Sequence, residues 1–274
     1  MKTIKSFCTM MSVLALVAVS CEPENKGRGD EPDVPVVNET KTISSIRYVD
    51  CVYGSESMTD FVYDGQGRVI SIETDDGYGS YAVDVVYSGN EVTVTSALFS
   101  DYVTELVYEL DDAGKAISMS TFLGDELELE IEFSYNQDGS MSSLSVMDSY
   151  VVDYVWEDGN LVTAVARLMG YEIERGDRTY TDIPNDTNLD LNSLICMSDF
   201  SGSITNMDYD GEILGIYGKT SSCMMSSDVW DYEDMYEYEY GFDGQGRISE
   251  IDVYYSDGFS ERELEGKYYI DYLK

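Results

Sequence analysis

The sequence predicts an all-β protein: an antiparallel up-and-down meander of repeated hairpins, rolled into a strongly curled sheet or a partly closed barrel, with one short helical insertion near residues 186–198. Three observations carry this expectation. A hairpin formula is written twice, as FVYDGQGRVISI over residues 61–72 and as YGFDGQGRISEI over residues 240–251. Weaker copies recur between them at a nearly constant interval. Within the copies, apolar and acidic residues alternate with the period of a strand.

The interval is read from Tyr63, the aromatic residue just before the Asp-Gly-Gln-Gly turn. Its equivalents are Tyr87, Leu110, Tyr135 and Trp156, at steps of 24, 23, 25 and 21 residues. Each unit is a strand, a turn containing Gly67, Gly89, Gly114, Gly139 or Gly159, and a returning strand. Glycine suits these turns because hairpin loops place a residue at positive φ, which a side chain disfavours. A second aromatic stands two residues earlier, at Phe61, Tyr108, Phe133 and Tyr154, and so on the same face of the strand. Leu129, Ile131, Phe133 and Tyr135 face one way, while Glu130, Glu132 and Ser134 face the other. One apolar face and one acidic face mark an antiparallel sheet wetted on one side. Consecutive hairpins usually pair with their neighbours, so the simplest topology is one long meander that twists and tends to close.

The register lapses between Arg167 and Val229. Leu189, Leu191, Leu194, Ile195 and Met197 follow the helix-capping residues Asp186 or Asn188 with spacings that suit a short helix or an irregular plug. Such a segment would cover an open end or face of the curled sheet. An acidic and aromatic stretch, WDYEDMYEYEYGF, then leads into the second strong copy of the formula.

The N-terminus reads as a secretory signal over residues 1–20: Lys2 and Lys5, an apolar run too short to span a bilayer, and the small residues Ala18 and Ser20 before Cys21. This arrangement resembles the lipobox of bacterial lipoproteins, with Ala18 where leucine is commoner. The resemblance implies that Cys21 becomes the lipidated N-terminus and the membrane anchor. Residues 21–40 hold Pro23, Pro32 and Pro35 and almost no large apolar residue, which predicts a disordered tether. The acidic start Cys-Glu-Pro-Glu resembles signals that send some lipoproteins to the outer surface, so the expected location is the outer membrane, on the periplasmic or the surface side with the surface favoured. Residues 41–274 are left as a single β-meander domain.

Charge narrows the partners. The chain has 16 Lys and Arg against 54 Asp and Glu, a net charge of −38; removing the two signal lysines takes this to −40. Such a surface repels nucleic acid and anionic lipid headgroups. Membrane contact is therefore expected through the lipid anchor only. The alternation would also fit a transmembrane β-barrel. Against that reading stand the separate lipid anchor and a chain that ends Tyr272, Leu273, Lys274 rather than in an aromatic residue.

Two family resemblances follow from these motifs. The YDGQGRVISI copies are similar to the tyrosine-aspartate repeats of Rhs-type proteins, although the copies here are too few to enclose a cargo. The whole set resembles an uncharacterised bacterial lipoprotein family, a domain of unknown function described as having a porin-like fold. That set comprises the lipobox, the acidic tether, the aromatic-Asp-x-x-Gly hairpins, YTDIPND before LDLNSL, GIYGKTSS and YEYGFDGQGRI. It covers roughly residues 40–274, implies a curved antiparallel sheet, and supplies no catalytic residue.

The chemistry available is narrow. The chain has no histidine, which removes the usual general base and the commonest zinc ligand. Gly218-Lys219-Thr220 lacks the upstream glycine of a phosphate-binding loop. No cofactor is implied. Asn206, Asp208 and Asp210 match the opening of a calcium loop, but its twelfth position is Tyr217 where a bidentate glutamate is needed, and an ordinary turn explains the same residues. Cys51, Cys196 and Cys223 are an odd number, and a Cys196–Cys223 bridge is left open. Trp230 and Tyr232, set among Asp231, Glu233 and Asp234, are the candidate ligand-binding pair, because aromatics flanked by acids can stack on and hydrogen-bond sugars. The reading that results is a non-catalytic lipoprotein of the outer membrane or cell surface that binds a glycan or an extracellular protein. The alternatives are a structural or assembly subunit of an envelope complex and, third, a carboxylate-based hydrolase.

Overall fold

The computed structural model describes residues 41–99, 102–124, 126–146, 149–196, 211, 213–230, 234–258 and 261–274. The signal, Cys21 and the tether lie outside the described residues, as do Asn206, Asp208, Asp210 and Tyr232. Sixteen strands follow one another along the chain. They are β1 (Ile43–Asp50), β2 (Glu56–Tyr63), β3 (Val69–Asp75), β4 (Ser80–Ser88), β5 (Glu91–Phe99), β6 (Tyr102–Leu110), β7 (Ala116–Leu123) and β8 (Glu126–Tyr135), then β9 (Met141–Val146), β10 (Tyr150–Glu157), β11 (Asn160–Leu168), β12 (Tyr171–Pro184), β13 (Cys223–Trp230), β14 (Asp234–Phe242), β15 (Ile248–Ser256) and β16 (Glu263–Tyr272). Every strand pairs antiparallel with its neighbours in sequence, and β1 pairs with β16, at Ile46↔Ile270 and Tyr48↔Tyr268, to close the barrel. Closure leaves no edge strand to aggregate. The meander of the sequence reading is thus a complete ring.

The repeat formula has a physical explanation at one end of this ring. In the turn after β2, the Asp64 carboxylate accepts from the backbone N–H groups of Gln66 (2.8 Å) and Arg68 (3.0 Å) and from Arg68 Nε (2.8 Å). Gly67 takes the positive φ of 78° that completes the turn. The turn after β14 repeats this almost atom for atom, with Asp243 accepting from Gln245 N, Arg247 N and Arg247 Nε at 2.8, 3.0 and 2.7 Å. The arginines then lie over the anchor rings of a neighbouring unit, Arg68 on Tyr87 and Arg247 on Tyr272, 4.1 and 4.3 Å from the ring centroids.

The anchor aromatics clasp one hairpin to the one before it. Tyr63 Oη donates to the Ile43 carbonyl (2.6 Å), Tyr87 to Val69 (3.1 Å), Tyr135 to Ala116 (2.7 Å) and Trp156 Nε1 to Met141 (2.7 Å). Tyr180, Tyr240 and Tyr272 do the same with Leu161 (2.6 Å), Met225 (2.5 Å) and Ile248 (2.7 Å). Each acceptor lies within two residues of the start of the preceding odd-numbered strand. Leu110, which has no polar atom, is the member of the series that cannot clasp. Burial pushes the hydroxyls of Tyr63, Tyr87 and Tyr272 up to about 12, so they remain donors at any physiological pH. Tyr180 corrects the sequence reading: it stands 24 residues after Trp156, so the register continues through β12 where it was read as broken.

Alternation sets the two surfaces of the wall. Inward positions such as Ile72, Val83, Val94, Leu106, Met119, Ile131, Val152 and Val253 are buried. Outward positions carry Asp60, Glu73, Asp84, Glu109, Glu130 and Glu132, all exposed, with apolar residues such as Val86 only interspersed. A transmembrane barrel needs the reverse, an apolar band facing lipid. A carboxylate turned toward hydrocarbon is costly, so this outer wall is not the apolar band that such a barrel presents.

Candidate functional site

A sixteen-stranded ring is too wide for wall side chains alone to fill, and comparable barrels enclose a channel or a plug. Here the chain supplies its own plug. The described residues 185–196 and 213–222, between β12 and β13, lie at the end that carries the Asp-Gly turns. The short helix α1 (Leu191–Ile195) is capped by Asp190, whose carboxylate accepts from the backbone N–H of Asn192 (3.1 Å), from Ser193 Oγ (3.1 Å) and from Asn185 Nδ2 (2.6 Å). The helix turns Leu191 and Ile195 into the core, at 0% and 1% exposure. The predicted helical insertion near 186–198 is therefore this one-turn helix, with Met197 and Ser198 outside the described residues.

The plug is stitched to the wall at many points. Asn192, 4% exposed, donates to the Cys223 carbonyl (2.8 Å) and accepts from Met225 N–H (2.8 Å). Asn188 Oδ1 accepts from Ile43 N–H at 2.7 Å, and Lys41 pairs with Asp186. On the opposite wall, Ile216 C=O accepts from Ala116 N–H (2.8 Å), Gly139 C=O from Lys219 N–H (3.0 Å) and Gly159 C=O from Ser222 N–H (3.1 Å). This end of the barrel is sealed.

Lys219 Nζ also reaches Asp138 at 3.1 Å. Hydrogen bonds from the Ser140 side chain and backbone, and then from Lys219, hold the Asp138 carboxyl down to about 2. Because that value lies below the roughly 3.9 of a free aspartate, the stabilisation is complete above about pH 4 and is lost as pH falls toward 2. A carboxyl-resolved NMR titration is expected to show the Asp138 midpoint near 2 and an upward move in Lys219→Met. A midpoint unchanged by that substitution would remove the tether.

The other half of the barrel is open. A cavity of about 450 Å³ lies there, floored by Ile46, Phe61, Ile72, Val83, Val94 and Leu106 from the wall and by Leu194 and Ile213 from the plug. Above the floor stand Tyr48, Ser57, Thr59, Thr74, Tyr81, Ser96, Thr104 and Tyr268. Along two of the lining strands the inward residues change from large and apolar near the Asp-Gly turns to small hydroxyl at the other end: Tyr63, Phe61, Thr59, Ser57 on β2, and Leu110, Tyr108, Leu106, Thr104 on β6. Thr59 and Thr74 share a hydrogen bond of 3.1 Å across β2 and β3. Tyr48 and Tyr268 face each other with ring centroids 4.8 Å apart, and Gly266 makes room for them: a Cβ there would sit 2.5 Å from the Tyr48 ring.

The barrel is similar to that of two porin-like proteins. A solved structure of a porin-like protein from Bacteroides uniformis matches with a TM-score of 0.62 at 15% identity, covering 85% of this chain and 98% of that one. A second, from Bacteroides vulgatus, matches with a TM-score of 0.56 at 14% identity, covering 85% and 98%. No protein-family model matches the sequence. No curated protein matches it either. The likeness establishes a porin-like fold.

The residues singled out from sequence are placed as follows. Trp230 ends β13, partly buried and packed against the core, with its partner Tyr232 outside the described residues. Tyr236 and Tyr240 turn inward with Tyr238. Cys51, Cys196 and Cys223 are all free thiols. The cavity-lining serines and threonines were missed by the sequence reading, because each alone looks like a wetted strand position.

The lip of the open half is apolar at its tips and acidic between them. Tyr53 and Tyr78, on the turns after β1 and β3, are 87% and 93% exposed, and Met169 and Tyr171, after β11, are 77% and 78% exposed. Burial, followed by the charges of Asp50 and Glu265, raises the Tyr48 hydroxyl to about 12. Arg47, on the outer face below this lip, is paired with Glu56 at 3.2 Å.

Proposed function

We propose that this chain is a non-catalytic lipoprotein of the bacterial outer membrane, held by lipid on Cys21, whose barrel stays in water and receives a ligand in its open half. The single observation that carries this reading is the cup: one end bridged by the described residues 185–196 and 213–222, the other holding a cavity of about 450 Å³ within the ordinary range of ligand sites. The acid-bearing outer wall supports anchoring by lipid rather than by strands. The cavity lining offers tyrosines, hydroxyls and aliphatic floor, the surface of a binding module. No Asp or Glu is among the described residues that line it, so the carboxylate pair of a glycosidase has no place there. The resemblance of the sequence to the uncharacterised lipoprotein family fits the same picture. A glycan with an apolar face and a side chain of an extracellular protein are among the occupants this reading admits.

A second reading, a subunit of an envelope assembly, is favoured by the exposed Tyr53, Tyr78, Met169 and Tyr171 tips, which a partner could cover. A glycan array on the mature chain separates the two. Silence on the array together with specific crosslinking from position 78 to a membrane protein would replace the first reading with the second.

Anchoring is tested by Cys21→Ala. The variant is expected to move from the membrane fraction to the soluble fraction and to need no detergent there. A variant that still sediments with membranes would overturn the lipid anchor.

A further inference from the structure

We infer that the open half of the barrel takes an amphiphile, with its apolar body on the aliphatic floor and a cationic head group at the lip. This rests on the cup being a ligand receptacle, and it names the chemical class of the ligand.

Three observations converge on it. The described lining is aliphatic, aromatic and hydroxyl-bearing, which suits an uncharged buried part of the ligand. Ser96 lies in the lining at 8% exposure, and its hydroxyl has no hydrogen-bond partner among the described residues. A buried hydroxyl without a partner is costly, so the ligand is expected to place a polar atom, or a water it carries, against Ser96 where the chain turns polar. The third observation is charge. Asp50 and Glu265 act on the lip tyrosine Tyr48, and Asp75 and Asp76 flank the exposed tip at Tyr78. The cations on the same strands, Arg47 and Lys267, are already held by Glu56 and by Glu250 and Asp252. A carboxylate or sulfate head would meet uncompensated like charge at this lip, and a quaternary ammonium would meet attraction from the acids and from the Tyr48 and Tyr268 ring faces.

The test uses the chain from Glu22 onward, so that no lipid or detergent competes, and isothermal titration with alkyl probes below their micelle concentrations. Dodecyltrimethylammonium is expected to bind at least about tenfold more tightly than dodecyl sulfate, with dodecyl maltoside between them, and the gap should narrow in high salt. Shortening the ammonium probe from twelve carbons to ten should weaken it about 15-fold, the value of two buried methylenes. Thr104→Trp, which fills the cavity from its wall, should abolish binding while leaving the circular dichroism spectrum and Tm within error of the parent. Equal or tighter binding of the sulfate overturns the head-group assignment. Affinity that ignores chain length, or survives Thr104→Trp in a folded variant, overturns the site. If all alkyl probes fail but a glycan binds and Thr104→Trp blocks it, the amphiphile is wrong and the receptacle stands; if nothing binds, both fall.

Discussion

Replacing Asp228 with alanine is expected to lower stability by about 3–5 kcal/mol, the range for breaking a buried ion pair from one side. Asp228 on β13 faces Arg178 on β12 in register, both turned into the barrel beside the plug. Asp228 is 0% exposed, the Arg178 side chain is 16% exposed, and Arg178 Nε stands 3.5 Å from Oδ1. Cys196, just past α1, closes the triangle: its Sγ accepts from Arg178 Nη2 at 3.1 Å and donates to Asp228 Oδ2 at 3.1 Å. Removing the carboxylate takes away the countercharge that Arg178 faces across β12 and β13 and leaves the guanidinium to Cys196 and Asp190. The pair itself is worth much less than the damage of breaking it, because both charges were desolvated to form it. The double substitution Arg178→Met with Asp228→Leu is therefore expected to recover most of the loss. Urea unfolding of the four corners of this cycle gives the coupling directly. A loss below about 1 kcal/mol in Asp228→Ala would mean that water reaches Arg178 and that the plug is less tightly seated than its contacts imply.

Much of this barrel was legible because its sealed end is built from local chemistry. An aspartate that caps two backbone N–H groups, a glycine at positive φ and an arginine four residues on all fall within one five-residue turn, so a single unit announces the pattern. The anchor aromatic was legible as a recurrence, but its purpose was not, since the carbonyl that Tyr63 or Tyr135 clasps lies 20 or 19 residues back. Tyr180 was passed over because the turn that should follow it is replaced by the plug, leaving the aromatic without its aspartate and glycine. Closure had no local signal at all: Ile46 pairs with Ile270 across nearly the whole domain.

The cavity was illegible for a different reason. Ser57, Thr59, Thr74, Ser96 and Thr104 sit at inward positions where a packed core would want aliphatic residues, and read singly they look like wetted strand positions. Only their shared end of the barrel, fixed by topology, turns five small hydroxyl residues into one lining. The same step moved attention away from Trp230, whose acidic neighbours in sequence suggested exposure while its strand turns it toward the core.

Two glycines of the plug separate backbone freedom from steric room. Gly215 and Gly218 both adopt the left-handed region, at φ 68° and 81°. Around Gly215 an added Cβ would meet nothing within 4 Å, so Gly215→Ala is expected to cost only the conformational penalty of about 1–2 kcal/mol. At Gly218 the same atom would lie 2.5 Å from the Gly139 carbonyl oxygen, with the Tyr135 ring at 3.1 Å and Lys115 Cδ at 3.3 Å. Lys115 could swing away and the ring could shift, but the Gly139 carbonyl cannot, because it accepts the Lys219 N–H that ties the plug to the turn after β8. Gly218→Ala must therefore break that bond or displace the turn, and the expected loss exceeds about 3 kcal/mol once the strained φ and the lost hydrogen bond are combined. Asp138 and Lys219 would separate with it, so the Asp138 carboxyl should return toward its ordinary value in this variant and stay near 2 in Gly215→Ala. Equal losses in the two variants would show that φ alone governs both sites and that the plug can slide past Gly139 without cost.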